Sequence, residues 1–184
     1  MNKMSSFNHS LETRIKALIR DIPDFPKKGI IFKDITPILL HPDLCTEIVD
    51  EFIRRLPATP LDAICAVESR GFFFGTLLAN RLQLPFIPIR KEGKLPGDTI
   101  SYTYDLEYGT STIEIHEGVL KPGNKVLLHD DLLATGGTIS AAMELISKQG
   151  AEVAAVTFLV SLEFLNGYRK LKSKNAQIIT LSRY

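Results

Sequence analysis

The sequence predicts an α/β domain in which helices cover both faces of a mostly parallel, twisted sheet. Apolar runs too short for helices alternate along the chain with segments whose apolar residues recur at helical spacing. Most of these runs are continuously apolar, which is typical of strands buried on both faces of a parallel sheet. We therefore expect parallel strands joined by right-handed helical crossovers.

Length and composition limit the classes of protein to which the chain can belong. Its 184 residues, 45% hydrophobic and 23% charged, suit a single domain over residues 1–184 with a sizeable core. A formal net charge of +1 argues against a protein that binds nucleic acid by electrostatics alone. The N-terminus lacks the apolar run of a signal peptide, and no stretch approaches the roughly 20 apolar residues of a membrane span. We expect a cytoplasmic protein without nucleic-acid or membrane partners.

The N-terminal part is predicted to contain two helices separated by a folded loop. Residues Leu11–Arg20 carry apolar side chains at helical spacing, and Pro23 is expected to end that helix. The loop over about residues 22–36, here called the hood, has too much apolar surface to stay in water. Its Phe32 either caps the core or offers a ring face to a flat heterocycle. A second helix is predicted over Pro42–Leu56, with a proline in its first turn.

The next strand ends at polar residues. Strand Leu61–Val67 precedes helix Phe72–Leu82, and another strand is predicted over Phe86–Ile89. Glu68 and Arg70 directly follow the first of these strands, at the edge where open parallel sheets bind their ligands. The two residues either form a simple ion pair with each other or face a ligand. Their positions alone favour the ion pair.

A basic, glycine-rich segment then leads into a predicted antiparallel hairpin. Arg90 and Lys94 belong to this segment, and the stretches Ile100–Tyr108 and Ser111–His116 are rich in Thr, Tyr and Ile, as strands are. Charged loops are usually only solvated. A hairpin inserted between strand and helix units, with a basic stem, is also typical of a mobile flap that closes over a polyanion. We call residues of about 90–117 the flap.

The stretch Val126–Thr138 combines a buried strand, two acids and a glycine turn. Asp130 and Asp131 lie at the C-terminal end of the strand, and the turn leads into a helix predicted over Ile139–Gln149. Such a turn offers unpaired N–H groups to an anion, and glycines let the backbone approach a phosphate closely. The acids would repel phosphate but can accept hydrogen bonds from sugar hydroxyls, so the stretch predicts a site for a ribose phosphate. The turn consists of Ala134, Thr135, Gly136, Gly137 and Thr138.

A packing role for this turn is the alternative. Glycine-rich turns between strands and helices also occur for packing alone, and neither the P-loop pattern nor the dinucleotide fingerprint is present. His129, inside the strand, is expected to be a hydrogen-bonded core group and not a catalyst. The acids next to the turn therefore carry the ligand interpretation.

The chain is predicted to end with two more strands and one helix. The segments are strand Glu152–Val160, helix Leu162–Leu171 and strand Gln177–Leu181. No internal repeat or low-complexity tract interrupts the alternation of strands and helices.

Five segments resemble the adenine phosphoribosyltransferases, a branch of the type I phosphoribosyltransferase family. VLLHDDLLATGGT is similar to the family's motif for phosphoribosyl pyrophosphate (PRPP). AVESRGFFFG and IPIRKEGKLPG are similar to further segments of the branch, and DFPKKGIIFKDITP together with YDLEYG points to adenine. The resemblance implies a type I phosphoribosyltransferase fold and a purine-salvage transferase that converts adenine and PRPP into AMP and pyrophosphate. It also implies Mg²⁺ as cofactor and a homodimer.

The resemblance assigns a role to each candidate site residue. The glycine turn would hold the 5′-phosphate and the two aspartates the ribose hydroxyls, while Mg²⁺ would be held mainly by PRPP and water. Ile31, Phe32 and Lys33 in the hood would bind adenine. Glu107 in the flap would be the catalytic group that manages a purine proton. The pyrophosphate end of PRPP would be met at the sheet edge by Arg70, Arg90 and Lys94, with Glu68 beside them.

Two alternatives to this function stay open. One is a phosphoribosyltransferase for another purine base, such as xanthine or hypoxanthine. The other is a regulator that uses the same fold to sense PRPP. Such a regulator often carries an added DNA-binding domain, for which this chain has no spare length.

Overall fold

The structure is a computed structural model that describes residues 10–105, 109–172 and 176–184. The chain divides into two compact units, one before and one after the boundary between Ile48 and Val49. Helix α2, Pro42–Arg55, contains this boundary. Within the described ranges, every helix is too short or too polar to span a bilayer.

The first unit combines one helix with a small antiparallel sheet. Its elements are α1 (Leu11–Leu18), β1 (Arg20–Pro23), β2 (Ile31–Asp34), a 3₁₀ turn (Thr36–Leu40) and the start of α2. The hydroxyl of Ser10 caps α1, because it accepts a hydrogen bond from the backbone N–H of Thr13 at 3.2 Å. Strands β1 and β2 pair with each other, so the hood predicted as a loop contains a strand pair.

The prediction for the first helix and the hood is therefore wrong in two details. Helix α1 stops short of Arg20, because Ile19 takes an extended conformation and the chain then enters β1. Pro23 lies at the end of that strand and ends no helix. A salt bridge of 2.6 Å between Arg20 and Asp34 crosses the strand pair. Pairing of this kind joins residues far apart in sequence, so helical periodicity could not reveal it.

The second unit is built on a seven-stranded sheet. Its strands are β3 (Ala63–Val67), β4 (Phe86–Lys91), β5 (Thr99–Asp105), β6 (Thr110–His116), β7 (Lys125–Leu133), β8 (Glu152–Ser161) and β9 (Gln177–Arg183). Their order in the sheet is β5-β6-β4-β3-β7-β8-β9. Strands β4, β3, β7, β8 and β9 pair in parallel, whereas β6 pairs antiparallel with β4 and with β5. The mostly parallel sheet is confirmed, and the predicted hairpin extends it at one edge.

Helices cover both faces of this sheet. Helix α3 (Gly71–Leu82) packs against β3 and β7, and α4 (Gly137–Lys148) packs against β5 and β8. Successive side chains of a strand point to opposite faces. Cys65 belongs to the buried cluster that contains the apolar side chains of α4. Its neighbour Ala66 faces α3 so closely that a Cβ added at Gly75 would lie 2.6 Å from it.

The predicted helix Leu162–Leu171 is wrong as one continuous element. The structure has a 3₁₀ turn over Glu163–Leu165 and a short helix α5 over Gly167–Lys172. Asn166 separates them because its φ of 55° is left-handed, a conformation that ends helices. The first residue of α5 lies against the backbone oxygen of Ala134, so this break brings the chain onto the turn after β7.

Candidate active site

Side chains from several elements line one cavity at the carboxyl ends of the parallel strands. The cavity has a volume of about 270 Å³, and its lining comes from the end of β3 and the loop after it, from strands β4, β5, β6 and β7, and from α4. Ligands of open parallel sheets bind at this edge. Predicted site residues line it together with Tyr104, for which no role was predicted. The lining residues that carry polar groups include Glu68, Arg70, Tyr104, Asp130, Asp131 and Thr138.

The turn after β7 contains two glycines, and a different physical reason accounts for each. Gly136 has a φ of 77°, and a Cβ there would lie 3.1 Å from the backbone oxygen of Gly167. Conformation and packing both require glycine at this position. Gly137 is the first residue of α4, and a Cβ there would meet nothing nearer than 3.8 Å. Packing therefore does not explain Gly137, whereas a ligand that approaches the backbone at a helix N-terminus does.

The two aspartates of β7 are neighbours, with Asp131 buried and Asp130 half-buried. Oδ1 of Asp130 accepts a hydrogen bond from the backbone N–H of Asp131 at 2.9 Å. Oδ2 of Asp131 lies 3.0 Å from Nε of Arg70, without the alignment of a hydrogen bond. Burial raises the pKa of both carboxyl groups, and the neighbouring charge of Asp131 helps to raise that of Asp130 well above its usual range. The ionised pair would therefore be stabilised by hydrogen-bond donors or positive charge on a ligand.

Glu68 holds two basic side chains. Its Oε2 lies 2.7 Å from Nε of Arg90, and its Oε1 lies 3.2 Å from Nζ of Lys94. Burial tends to raise the pKa of Glu68, but the hydrogen bonds from Arg90 and Lys94 outweigh burial and lower it. The salt bridges pair Arg70 with Asp131. The ion pair between Glu68 and Arg70, which their nearby positions in the sequence favoured, is thus replaced by ion pairs with residues of other elements. The sequence positions alone do not reveal these partners.

Two hairpin residues contact this site although neither was predicted to be a site residue. Glu114 of β6 is buried and accepts hydrogen bonds from the backbone N–H groups of Lys94 and Leu95. The hydroxyl of Tyr104, on β5, lies 3.0 Å from Oγ1 of Thr138 in the glycine turn. Along both strands polar residues alternate with apolar ones, which is typical of a solvent-exposed face. Only the pairing of the hairpin with the main sheet places these two side chains beside the site.

The predicted adenine-binding residues lie on β2 of the first unit. Ile31 is exposed, and the ring of Phe32 packs edge-to-face on Phe25 with ring centroids 5.1 Å apart. Lys33 forms a salt bridge of 2.7 Å across the strand pair. Their binding of a base stays a prediction. The predicted catalytic residue, Glu107, lies outside the described residues.

His129 is a core residue of the second unit. Its Nδ1 lies 2.9 Å from the hydroxyl of Thr157, and its ring packs edge-to-face on Phe52. Burial lowers the pKa of His129 to about 3, so the ring is neutral at physiological pH. The expectation of a hydrogen-bonded core group is confirmed.

The carboxylates of the site suit only indirect binding of a divalent cation. In the described parts of the chain, no three or more His, Cys, Asp or Glu side chains come together as a metal site. Asp131 is paired with Arg70, and Glu68 with Arg90 and Lys94. This donor set fits Mg²⁺ that is bound mainly by a polyanionic ligand and water.

Comparison of the sequence with known proteins gives consistent matches. The family model of the phosphoribosyl transferase domain matches residues 35–180. An adenine phosphoribosyltransferase from Christiangramia forsetii is 54% identical over 158 residues, which are 86% of this chain and 92% of that protein. One from Cytophaga hutchinsonii is 49% identical over 181 residues, which are 98% of this chain and 100% of that protein.

Solved structures agree with these sequence matches. Adenine phosphoribosyltransferase from Thermoanaerobacter pseudethanolicus has a TM-score of 0.90 to this chain at 47% identity, covering 95% of this chain and 100% of that one. The APRTase from Giardia lamblia, complexed with 9-deazaadenine, has a TM-score of 0.89 at 39% identity. That comparison covers 96% of this chain and 98% of the other.

Proposed function

The chain belongs to the family of adenine phosphoribosyltransferases, and we propose that it converts adenine and PRPP into AMP and pyrophosphate, a purine-salvage reaction. The observation that carries this proposal is Gly137 at the N-terminus of α4, where an added Cβ would meet nothing nearer than 3.8 Å, next to Asp130 and Asp131. A phosphate at this N-terminus would place its ribose beside the two carboxylates. The 9-deazaadenine in the Giardia lamblia relative supports adenine as the base.

The two aspartates of β7 supply the negative charge that this reaction needs at the ribose. Departure of pyrophosphate leaves positive charge on the ring, so catalysis requires nearby negative charge and no covalent nucleophile. Asp130 and Asp131 would accept hydrogen bonds from the ribose hydroxyls. Burial disfavours their ionised form, and the developing charge on the ring favours it. The interaction is therefore stronger in the transition state than in the ground state, which is the condition for catalysis.

Arg90 and Lys94, here called the basic cluster, would receive the pyrophosphate end of PRPP. Arg90 and Lys94 are already paired with Glu68, so the diphosphate would take the place of a carboxylate as their partner. Glu68 carries a charge that repels the ligand, so it would act on PRPP binding only through these two cations, for which it competes with the diphosphate. Arg70 lies on the same sheet edge, next to Asp131. Mg²⁺, held mainly by PRPP oxygens and water, would neutralise charge on the leaving pyrophosphate.

The remaining assignments come from the resemblance. Phe32 is expected to stack on the purine, and the backbone of Ile31 and Lys33 to bind its Watson–Crick edge. Glu107 is expected to manage a purine proton while N9 attacks the ribose. A homodimer and a cytoplasmic location are part of the proposal.

A competition assay among bases separates adenine from other substrates. Purified protein with labelled adenine, PRPP and Mg²⁺ is expected to form AMP, and omission of any one component is expected to stop its formation. Hypoxanthine and xanthine compete at fixed PRPP, and adenine is expected to have by far the highest kcat/KM. A higher value for another base would identify a different purine transferase. Binding of PRPP without turnover of any base would identify a regulator.

A further inference from the structure

Glu114 is a buried carboxylate of the hairpin that the proposed reaction leaves without a role. It is 4% exposed and lies opposite Arg90 in the pairing of β6 with β4. Its Oε1 accepts hydrogen bonds from the backbone N–H groups of Lys94 at 3.0 Å and Leu95 at 2.8 Å. Its Oε2 lies 3.4 Å from the hydroxyl of Thr99. The turn after β4 therefore folds around this one carboxylate.

Backbone N–H groups keep Glu114 ionised. Burial tends to raise the pKa of Glu114, but hydrogen bonds from the backbone of Leu95, Gly93 and Lys94 outweigh burial and lower it. Movement of the carboxylate away from these donors would leave a buried charge unsatisfied. Glu114 and the turn are therefore expected to keep one arrangement.

The turn held by Glu114 carries the side chains proposed for pyrophosphate. Lys94 is held on both sides of its backbone, because Glu114 accepts from its N–H and Nη1 of Arg90 donates to its carbonyl oxygen at 2.8 Å. The Nζ of Lys94 and the Nε of Arg90 then meet at Glu68. We propose that Glu114 is a positioning residue that holds Arg90 and Lys94 in place for pyrophosphate. This inference rests on the proposed function and deepens it.

Glu114 and Glu68 hold the same segment in different ways. Glu68 binds the charged ends of Arg90 and Lys94, so it competes with a diphosphate for them. Glu114 binds the backbone of Lys94, which a diphosphate at the side chain leaves in place. Glu114 can therefore keep its contacts while the cations change partner. The two carboxylates should consequently have opposite effects on pyrophosphate affinity.

The test compares pyrophosphate and adenine as separate readouts. Glu114→Ala and Glu114→Asp are expected to raise the Ki of pyrophosphate and the KM of PRPP by about tenfold, because the turn loses the hydrogen bonds that hold it. The KM of adenine is expected to stay within about twofold. Glu114→Gln is expected to restore both constants to within about threefold of wild type, because its amide oxygen accepts from the same N–H groups. Exposed Glu117 provides the matched control, Glu117→Gln, which should leave every constant unchanged.

Binding of magnesium pyrophosphate, measured by calorimetry, gives the same comparison without turnover. A rise in the adenine KM equal to that of PRPP, or an unchanged pyrophosphate Ki in Glu114→Ala and Glu114→Asp, overturns the inference. Glu114→Asp keeps the charge, so its Ki decides the case if Glu114→Ala does not fold. If the wild-type protein turns over adenine but the Glu114 variants bind pyrophosphate as wild type does, only the positioning role of Glu114 is refuted. Absence of wild-type turnover refutes the proposed function.

Discussion

The two anion-binding regions of the proposed site are built in opposite ways. At the turn of residues 134–138, the groups offered to a phosphate are backbone N–H groups at the start of α4. At the basic cluster, they are the side chains of Arg90 and Lys94, which Glu68 already pairs. Backbone groups are fixed by the fold, whereas paired side chains must change partner when a ligand binds. We therefore expect the turn to decide whether PRPP binds and the cluster to adjust how tightly pyrophosphate is held.

The largest effect is expected from adding a methyl group at Gly137. Gly137→Ala should lower kcat/KM for PRPP about a thousandfold, because a methyl group would keep the phosphate from several charge-assisted hydrogen bonds. The free energy of unfolding should rise by up to about 1 kcal/mol, since alanine favours the helix and meets no close neighbour. Steady-state kinetics and thermal unfolding measure the two changes.

Gly136→Ala is the matched control for that variant. Its Cβ would need a left-handed conformation and would approach the backbone oxygen of Gly167 to 3.1 Å. The free energy of unfolding should therefore fall by about 1–2 kcal/mol. If Gly137→Ala destabilises the protein as much as Gly136→Ala does, the turn is a packing feature and the ligand interpretation of Gly137 is wrong.

The charge of the aspartates next to the turn is expected to lower the stability of the protein and to raise kcat. Asp130→Asn is expected to lower kcat about a hundredfold, because it removes negative charge next to the developing cation. The pKa of Asp130 is raised by folding from its usual 3.8, so the ionised group destabilises the ligand-free protein above that pH. The variant should therefore be more stable than wild type at neutral pH. This advantage should shrink as the pH falls through the raised pKa towards 3.8.

Chemical denaturation of both proteins across this pH range measures the difference. Asp50→Asn, which removes an exposed partner of Arg81, is the control and should leave kcat unchanged. A wild-type protein that is the more stable of the two at neutral pH would show that the pair is not strained by burial.

The part of this site predicted from sequence is the part encoded locally. The acids, the glycines and the following helix are consecutive residues, so one stretch shows strand, turn and anion-binding N-terminus together. Glu114 and Tyr104 differ, because their roles depend on which strands the hairpin pairs with. The partner of Arg70 likewise comes from β7, some sixty positions further along the chain. Strand register and long-range ion pairs leave no periodic signal in a single sequence.

The fold shows the same difference between features encoded locally and features that depend on long-range pairing. Apolar runs identified β3, β7 and β8, because a strand buried on both faces is apolar over most of its length. The pair of β1 and β2 was missed, since Arg20–Pro23 is short, polar and stabilised by its partner strand. The break at Asn166 was missed although Asn166 and Gly167 form an Asn-Gly pair, a turn signal that the apolar spacing of the segment outweighed.

A smaller effect is expected at the basic cluster. Glu68→Gln removes the charge that pairs Arg90 and Lys94, so pyrophosphate should bind about fivefold more tightly and inhibit more strongly as a product. The effect should weaken at high salt, because both cations are partly exposed. Product inhibition at two salt concentrations measures it. Weaker pyrophosphate binding in Glu68→Gln would mean that Glu68 positions the cations more than it neutralises them.

The smallest effect is expected where the hairpin touches the turn. Tyr104→Phe removes the hydroxyl that lies 3.0 Å from Oγ1 of Thr138, so the threonine hydroxyl loses the partner that orients it towards a phosphate. The KM of PRPP should rise about fivefold with kcat unchanged, since a neutral hydrogen bond contributes about 1 kcal/mol. Tyr102→Phe on the same strand is the control and should leave the KM unchanged. A lower KM in Tyr104→Phe would instead mean that the tyrosine hydroxyl competes with the phosphate for Thr138. In that case the turn, like the basic cluster, would have to release an internal partner before it binds its ligand.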